Sequence, residues 1–149
     1  MPFEQVSDAS LLFDLMHIRN SVRAFMTGSQ DEITQEQQII WFSNLDHRLT
    51  KIWLYADSDG EWLGYGQLRI EPGDITYGVT TYAVVEASRG KGYGEKILRY
   101  VMDKAEEYGC DTMRAEIFKD NRASLELVYK LGYINTLDMG NMLEVQRPF

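Results

Sequence analysis

The run Arg89-Gly-Lys-Gly-Tyr-Gly94 has the residue types and spacing from which chemistry can be argued. An extended stretch, 79–85, precedes it, and an amphipathic helical pattern follows at once. Glycines at 90, 92 and 94 permit a tight strand-to-helix turn with bare backbone amides. A helix opening there adds N–H groups without intrahelical partners and a partial positive charge. Together these hold phosphate through the main chain, so the expected ligand is a phosphorylated cofactor. Turns of this kind also serve as plain connectors, and the run alone is a weak signal. The spacing excludes a P-loop, which needs Gly-Lys-Ser/Thr after a four-residue gap. It also differs from the dinucleotide fingerprint, whose third glycine falls further on.

Charge supports the same site. The chain of 149 residues carries a formal −8, which argues against general nucleic-acid binding. Residues 89–104 nonetheless carry a local +3, from Arg89, Lys91, Lys96, Arg99 and Lys104 against Glu95 and Asp103. The patch reads either as a solvated helix face or as the seat of an anionic cofactor within an acidic body. Cys110 stands alone, which excludes an internal disulfide and points to the reducing cytoplasm. No apolar run approaches a membrane span, and the opening residues do not read as a signal peptide. The length suits one domain. The candidate phosphate site and the elements after it occupy about 75–135, and the first helices and strands 1–74.

The elements that must position the run follow from periodicity. A short strand at 3–6 leads to a helix from Asp8 to about Arg19, with Leu11, Leu12, Leu15 and Ile18 on one side. Thr34-Gln-Glu-Gln37 reads as a capping box that opens a helix to about Leu49, with Ile40, Trp41, Leu45 and Leu49 as its stripe. Asp57-Ser-Asp-Gly60 turns a hairpin between strands at 51–56 and 61–71. Glu71-Pro-Gly-Asp74 has the residues of a type II turn. The helix from Tyr93 to Tyr108 buries Ile97, Leu98, Val101, Met102 and Ala105 and ends at Gly109. A strand at 112–118, a helix capped by Asp120 or Asn121 and stopped by Gly132, and a terminal hairpin at 133–138 and 141–147 complete the chain.

This order, with Val84-Val-Glu-Ala-Ser-Arg-Gly-Lys-Gly-Tyr-Gly94, Asn121-Arg-Ala-Ser-Leu125 and Lys130-Leu-Gly-Tyr133, resembles the GNAT superfamily of acyl-CoA-dependent N-acetyltransferases. The resemblance is specific over about 75–135. It implies an α/β (α+β) fold: a mixed, strongly twisted sheet of about six or seven strands flanked by about four helices. Strands 78–85 and 112–118 would splay apart to admit the pantetheine arm. Acetyl-CoA would be the co-substrate, with no metal. Arg89, Gly90, Lys91, Gly92, Tyr93, Gly94 and Glu95 would hold the pyrophosphate, Val84 and Val85 the pantetheine, and Asn121 and Ser124 the cofactor arm.

The implied chemistry is attack of a neutral primary amine on the thioester within a ternary complex. It needs a proton acceptor for the amine, a donor for the oxyanion and an acid for the leaving thiolate. An amide at Val84 or Val85 is the expected oxyanion donor. The family's acid is often a Tyr at the position occupied here by Val128. Tyr129 is one residue later, about 100° round a helix, and would serve only if the helix shifts register; otherwise water would. Glu116 is the candidate base, with a solvent-facing strand residue as its plainer reading. Arg19-Asn20, Ile33-Thr…Gln38 and Trp41-Phe42 look like a subgroup that acetylates nucleotide-linked amino sugars. Arg19, Asn20, Arg23, Phe25, Trp41 and Phe42 would then bind the acceptor. A protein N-terminus, a polyamine or an antibiotic are the alternative acceptors, and a non-catalytic acyl-CoA-binding module is the alternative class. Expected partners are acetyl-CoA and a small amine, without nucleic acid or membrane; a homodimer is left open.

Overall fold

The computed structural model describes residues 2–22, 31–57 and 59–149. In chain order the elements are β1 (Phe3–Gln5), α1 (Ala9–Val22), α2 (Gln35–Ser43), β2 (Thr50–Ala56), β3 (Trp62–Glu71) and β4 (Tyr77–Val84). They continue with α3 (Tyr93–Glu107), β5 (Thr112–Phe118), α4 (Arg122–Lys130), β6 (Ile134–Asp138) and β7 (Met142–Pro148). The seven strands form one sheet in the order β1-β2-β3-β4-β5-β7-β6. Only the β4–β5 pair is parallel. The mixed sheet with helices on both faces is the expected architecture.

Alternation along the central strands sends side chains to both faces. On one face Leu12, Leu15 and Ile18 of α1 pack with Ile52, Leu54, Tyr65 and Ala83. On the other, α3 packs Ile97, Leu98, Val101 and Ala105 with Leu68, Met113 and the inner side of α4. The predicted α3 stripe is the observed one.

Glycines let α3 approach the sheet closely. A Cβ added at Gly66 would lie 2.6 Å from Val101 Cγ2, and one at Gly64 would lie 2.4 Å from the backbone oxygen of Ala83. A backbone atom in a paired strand cannot move aside as a side-chain tip can. Gly64→Ala is therefore expected to cost about 1–3 kcal/mol. Thermal unfolding should show a Tm lower by about 3–10 °C; an unchanged Tm would contradict this packing argument.

Four local expectations are corrected. Helix α1 runs on past Arg19 to Val22. Helix α2 stops at Ser43, because the Asp46 carbonyl accepts from Leu49 and Thr50 and its carboxylate from the Arg48 amide, forming a turn where a last helical turn was expected. Of the expected stripe, Trp41 and Leu45 pack against the core, but Ile40 is exposed and the fully buried residue of α2 is Gln38. Gly73 lacks the positive φ that a type II turn requires at that position. The Thr34 capping box forms as expected, with both reciprocal hydrogen bonds present.

Candidate active site

β4 and β5 pair only over Tyr77–Val79 and Thr112–Arg114. Beyond that point each strand continues without the other, and a cleft of about 890 Å³ opens between them and the first turns of α3 and α4. The glycine turn forms one wall. Gly90 and Gly92 have φ of +77° and +83°, and a Cβ at either would meet no protein atom within 4 Å. These glycines serve the backbone conformation and an open face, not tight packing inside the protein. Gly92 caps α3, so the amides of Tyr93, Gly94 and Glu95 start the helix at the cleft.

Register decides which groups of β4 face the opening. The Val85 amide donates to the Leu63 carbonyl at 2.8 Å. In an antiparallel pair the residues alternate, so the Val84 N–H and C=O point away from β3 toward the splay. The Val84 carbonyl accepts from Arg89 Nε at 3.1 Å. Its amide is thus the donor aimed at the gap, and Val85 is already committed to the sheet.

Most of the expected cofactor residues converge. Val84, Arg89, Gly90, Gly92, Tyr93, Gly94, Asn121 and Ser124 all line the cleft, while Val85, Lys91 and Glu95 do not. Glu95 pairs instead with Arg99 and Lys130, which hold its carboxyl below its ordinary range. The expected basic patch likewise disperses. Lys104 pairs with Glu107, and of the five cations at 89–104 only Arg89 lines the cleft. Arg122, the first residue of α4, and Lys119, which pairs with Asp138, also line the cleft. Asn121 caps α4 by accepting from the Ser124 amide at 3.2 Å through Oδ1. Its Nδ2 is the atom left to serve a cofactor arm.

The expected catalytic pair is not brought to the cleft. Val128 is fully buried in the core, so α4 has not shifted register. Tyr129, turned outward by that same 100° step, is 42% exposed and donates to Asn135 Oδ1 at 2.7 Å. Tyr129→Phe should leave the acetylation rate within about twofold of the parent in steady-state assays, as for a surface residue remote from the reaction. Glu116 is exposed on β5 opposite Glu144, outside the cleft lining. The carboxylate that does line it is Asp120.

On the acceptor side, Arg19 Nη1 donates to Gln38 Oε1 at 2.7 Å, and its guanidinium lies 4.2 Å from the Trp41 ring centroid. Burial lowers its pKa from the ordinary value. Gln38 Nε2 in turn donates to the Leu12 carbonyl at 3.3 Å. Tyr65, wholly buried beside this cation, has its phenol pushed up to about 12 by burial. Asn20 acts differently from expectation: its amide accepts from the Ile33 N–H at 2.6 Å and donates to the Ile33 carbonyl at 2.9 Å, clamping α1 to the approach to α2. Phe42 packs against the α1-face core and tilts over His47. Arg23 and Phe25 lie outside the described residues. Tyr82, Phe118 and Asn141 line the cleft without having been anticipated. Only Tyr82 had a usable signal, sharing the face of Val84 by strand alternation.

The acetyltransferase (GNAT) family model matches residues 15–133. The chain belongs to that family. It is accordingly an acyltransferase, of a family whose acyl donor is acetyl-CoA. Among relatives of this GNAT protein, YwnH of Bacillus subtilis (strain 168), provisionally named a phosphinothricin acetyltransferase, is 27% identical over 112 residues. That match covers 72% of the chain and 68% of YwnH. The ribosomal-protein-alanine N-acetyltransferase of Brucella melitensis superposes with a TM-score of 0.82 at 18% identity, covering 100% of both chains. The structure of yncA from Salmonella typhimurium with its cofactor acetyl-CoA gives a TM-score of 0.79 at 19% identity, covering 99% and 94%. The GNAT chain's own residues fit such a donor: a cleft between splayed strands, helix-start amides beside it, and open space over Gly92. Among the described residues no cluster of His, Cys, Asp and Glu is placed to hold a metal, and no helix is long and apolar enough to cross a membrane.

Proposed function

We propose that this chain passes the acetyl group of acetyl-CoA directly to the primary amine of a small acceptor that also carries a carboxylate or phosphate. Acetyl-CoA supplies the activated thioester. The amides that open α3 neutralise its pyrophosphate, with Arg89 alongside. The Val84 N–H, aimed into the splay, donates to the thioester oxygen as charge builds there. Water takes the amine's proton.

The acceptor class rests on Arg19. This partly buried cation has a ring face and an amide oxygen for company, and no described carboxylate forms an ion pair with it. Residues 23–30, outside the described set, contain no Asp or Glu. Buried charges are normally paired, so an anionic ligand group suits this position. The position is also close to the reaction. Arg19 stands one turn before Val22, which lines the cleft, and beside Tyr65, whose cross-strand neighbour Ala83 lines it too. A nucleotide-linked amino sugar would place phosphates on Arg19; a small amino acid such as phosphinothricin would place its carboxylate there.

Thiol release from acetyl-CoA with a panel of amines tests the proposal. Amino-sugar nucleotides or amino acids should be consumed well, and peptides with cationic N-termini, polyamines and aminoglycosides poorly. A polyamine as the best substrate would overturn the anionic class. Binding of acetyl-CoA without thiol release from any amine would overturn catalysis in favour of a binding module.

A further inference from the structure

Two hydroxyls from different elements meet at the cleft. Tyr82 projects from β4, and its hydroxyl lies 2.6 Å from Ser124 Oγ on the first turn of α4. Both residues line the cleft. The ring lies beside the first turn of α3, where a Cβ at Gly94 would stand 3.5 Å from Tyr82 Cε2. Ser124 is itself fixed, because its amide is capped by Asn121. A third hydroxyl, Tyr133, is buried without a hydrogen-bond partner among the described residues.

The other tyrosines do not offer this placement. Tyr129 is outside the cleft, and Tyr93 turns its ring to Tyr55, with centroids 5.5 Å apart. The α4 position at which the family often carries its acid is the core residue Val128. We infer that Tyr82 is the proton donor to the leaving thiolate, with Ser124 as the positioning residue that holds its hydroxyl.

The step balances. The amine nitrogen bonds to the thioester carbon and loses one proton to water. The C–S electron pair passes to sulfur as that bond breaks, and the Tyr82 O–H proton goes to sulfur, giving CoA thiol. The phenolate, steadied by the Ser124 hydroxyl, regains a proton from solvent. Burial raises the Tyr82 phenol above its ordinary value, and the Ser124 hydrogen bond pulls it part of the way back. The donor is therefore protonated at neutral pH.

The inference rests on the acetyl-CoA reading of the cleft and not on the acceptor's identity, so the decisive measurement needs no acceptor. The thiol of bound CoA is titrated by thiolate absorbance in the parent and in Tyr82→Phe, with acetyl-CoA affinity measured in both. Loss of a donor to the thiolate should raise the bound thiol's pKa by about one to two units. Acetyl-CoA affinity should stay within about threefold, and kcat with any accepted amine should fall roughly ten- to a thousandfold. Ser124→Ala, which keeps the phenol and loosens its position, should move the thiol in the same direction by less. An unmoved thiol pKa in Tyr82→Phe overturns the assignment, whatever happens to kcat. A rate loss matched by weaker acetyl-CoA binding with no thiol shift would reduce Tyr82 to a wall of the cleft and overturn it equally.

Discussion

Gly92→Val should reduce acetyl-CoA affinity at least about a hundredfold while leaving the protein folded. Two effects combine at this position. At φ +83° a β-branched residue is strained by about 1–3 kcal/mol, and relief would turn the peptide away from its present orientation. The added side chain would also stand in the open space before the Tyr93 and Gly94 amides, where a phosphate must approach. Strain and blockage separate in a matched control. Gly60 has φ +78° with no atom within 4 Å of an added Cβ, and it lies in the β2–β3 turn away from the cleft. Gly60→Val should therefore lower Tm by a comparable amount and leave calorimetric acetyl-CoA binding intact. Equal affinity in the Gly92 variant and the parent would remove the glycine turn from the cofactor site.

Arg19→Ala should raise KM for the acceptor tenfold or more, with KM for acetyl-CoA nearly unchanged. A charge-assisted contact to a carboxylate or phosphate is worth about 1.5–3 kcal/mol, which is one to two orders of magnitude in affinity. The variant also leaves Gln38 Oε1 buried without its donor, so Tm should fall modestly. That fall acts on the packing of α1 against α2, whereas the glycine turn and the first turns of α3 and α4, which would hold acetyl-CoA, are separate elements. An acceptor KM that is unchanged or lower would mean that Arg19 serves the packing of α1 on α2, and the anionic acceptor class would fall with it.

Periodicity and turn chemistry are local properties, and the elements they govern were legible in the chain. The five-residue stripe of α3, the 112–118 strand and the left-handed glycines at 90 and 92 are all where the sequence places them. So is Val128, at the position where the family resemblance implies a tyrosine. Helix α2 was less legible because its inner face is mixed: Trp41 and Phe42 pack against the core beside a fully buried glutamine, which accepts from a cation on another helix nineteen residues earlier.

The sequence by itself determined the family, the sheet with its flanking helices, and a glycine turn ahead of α3. It also determined which residue types could reach that turn. Only the tertiary structure decided which of them do. The β3–β4 register commits the Val85 amide to Leu63 and turns that of Val84 to the gap, and a shift of one residue would exchange them. The rotation of α3 sends Glu95 to Arg99 and Lys130, away from the cleft. The rotation of α4 buries Val128, exposes Tyr129 and brings Ser124 to the hydroxyl of a tyrosine forty-two residues away. Each outcome depends on how one element sits against another, which is set by the packing of the whole core and is written in no single segment.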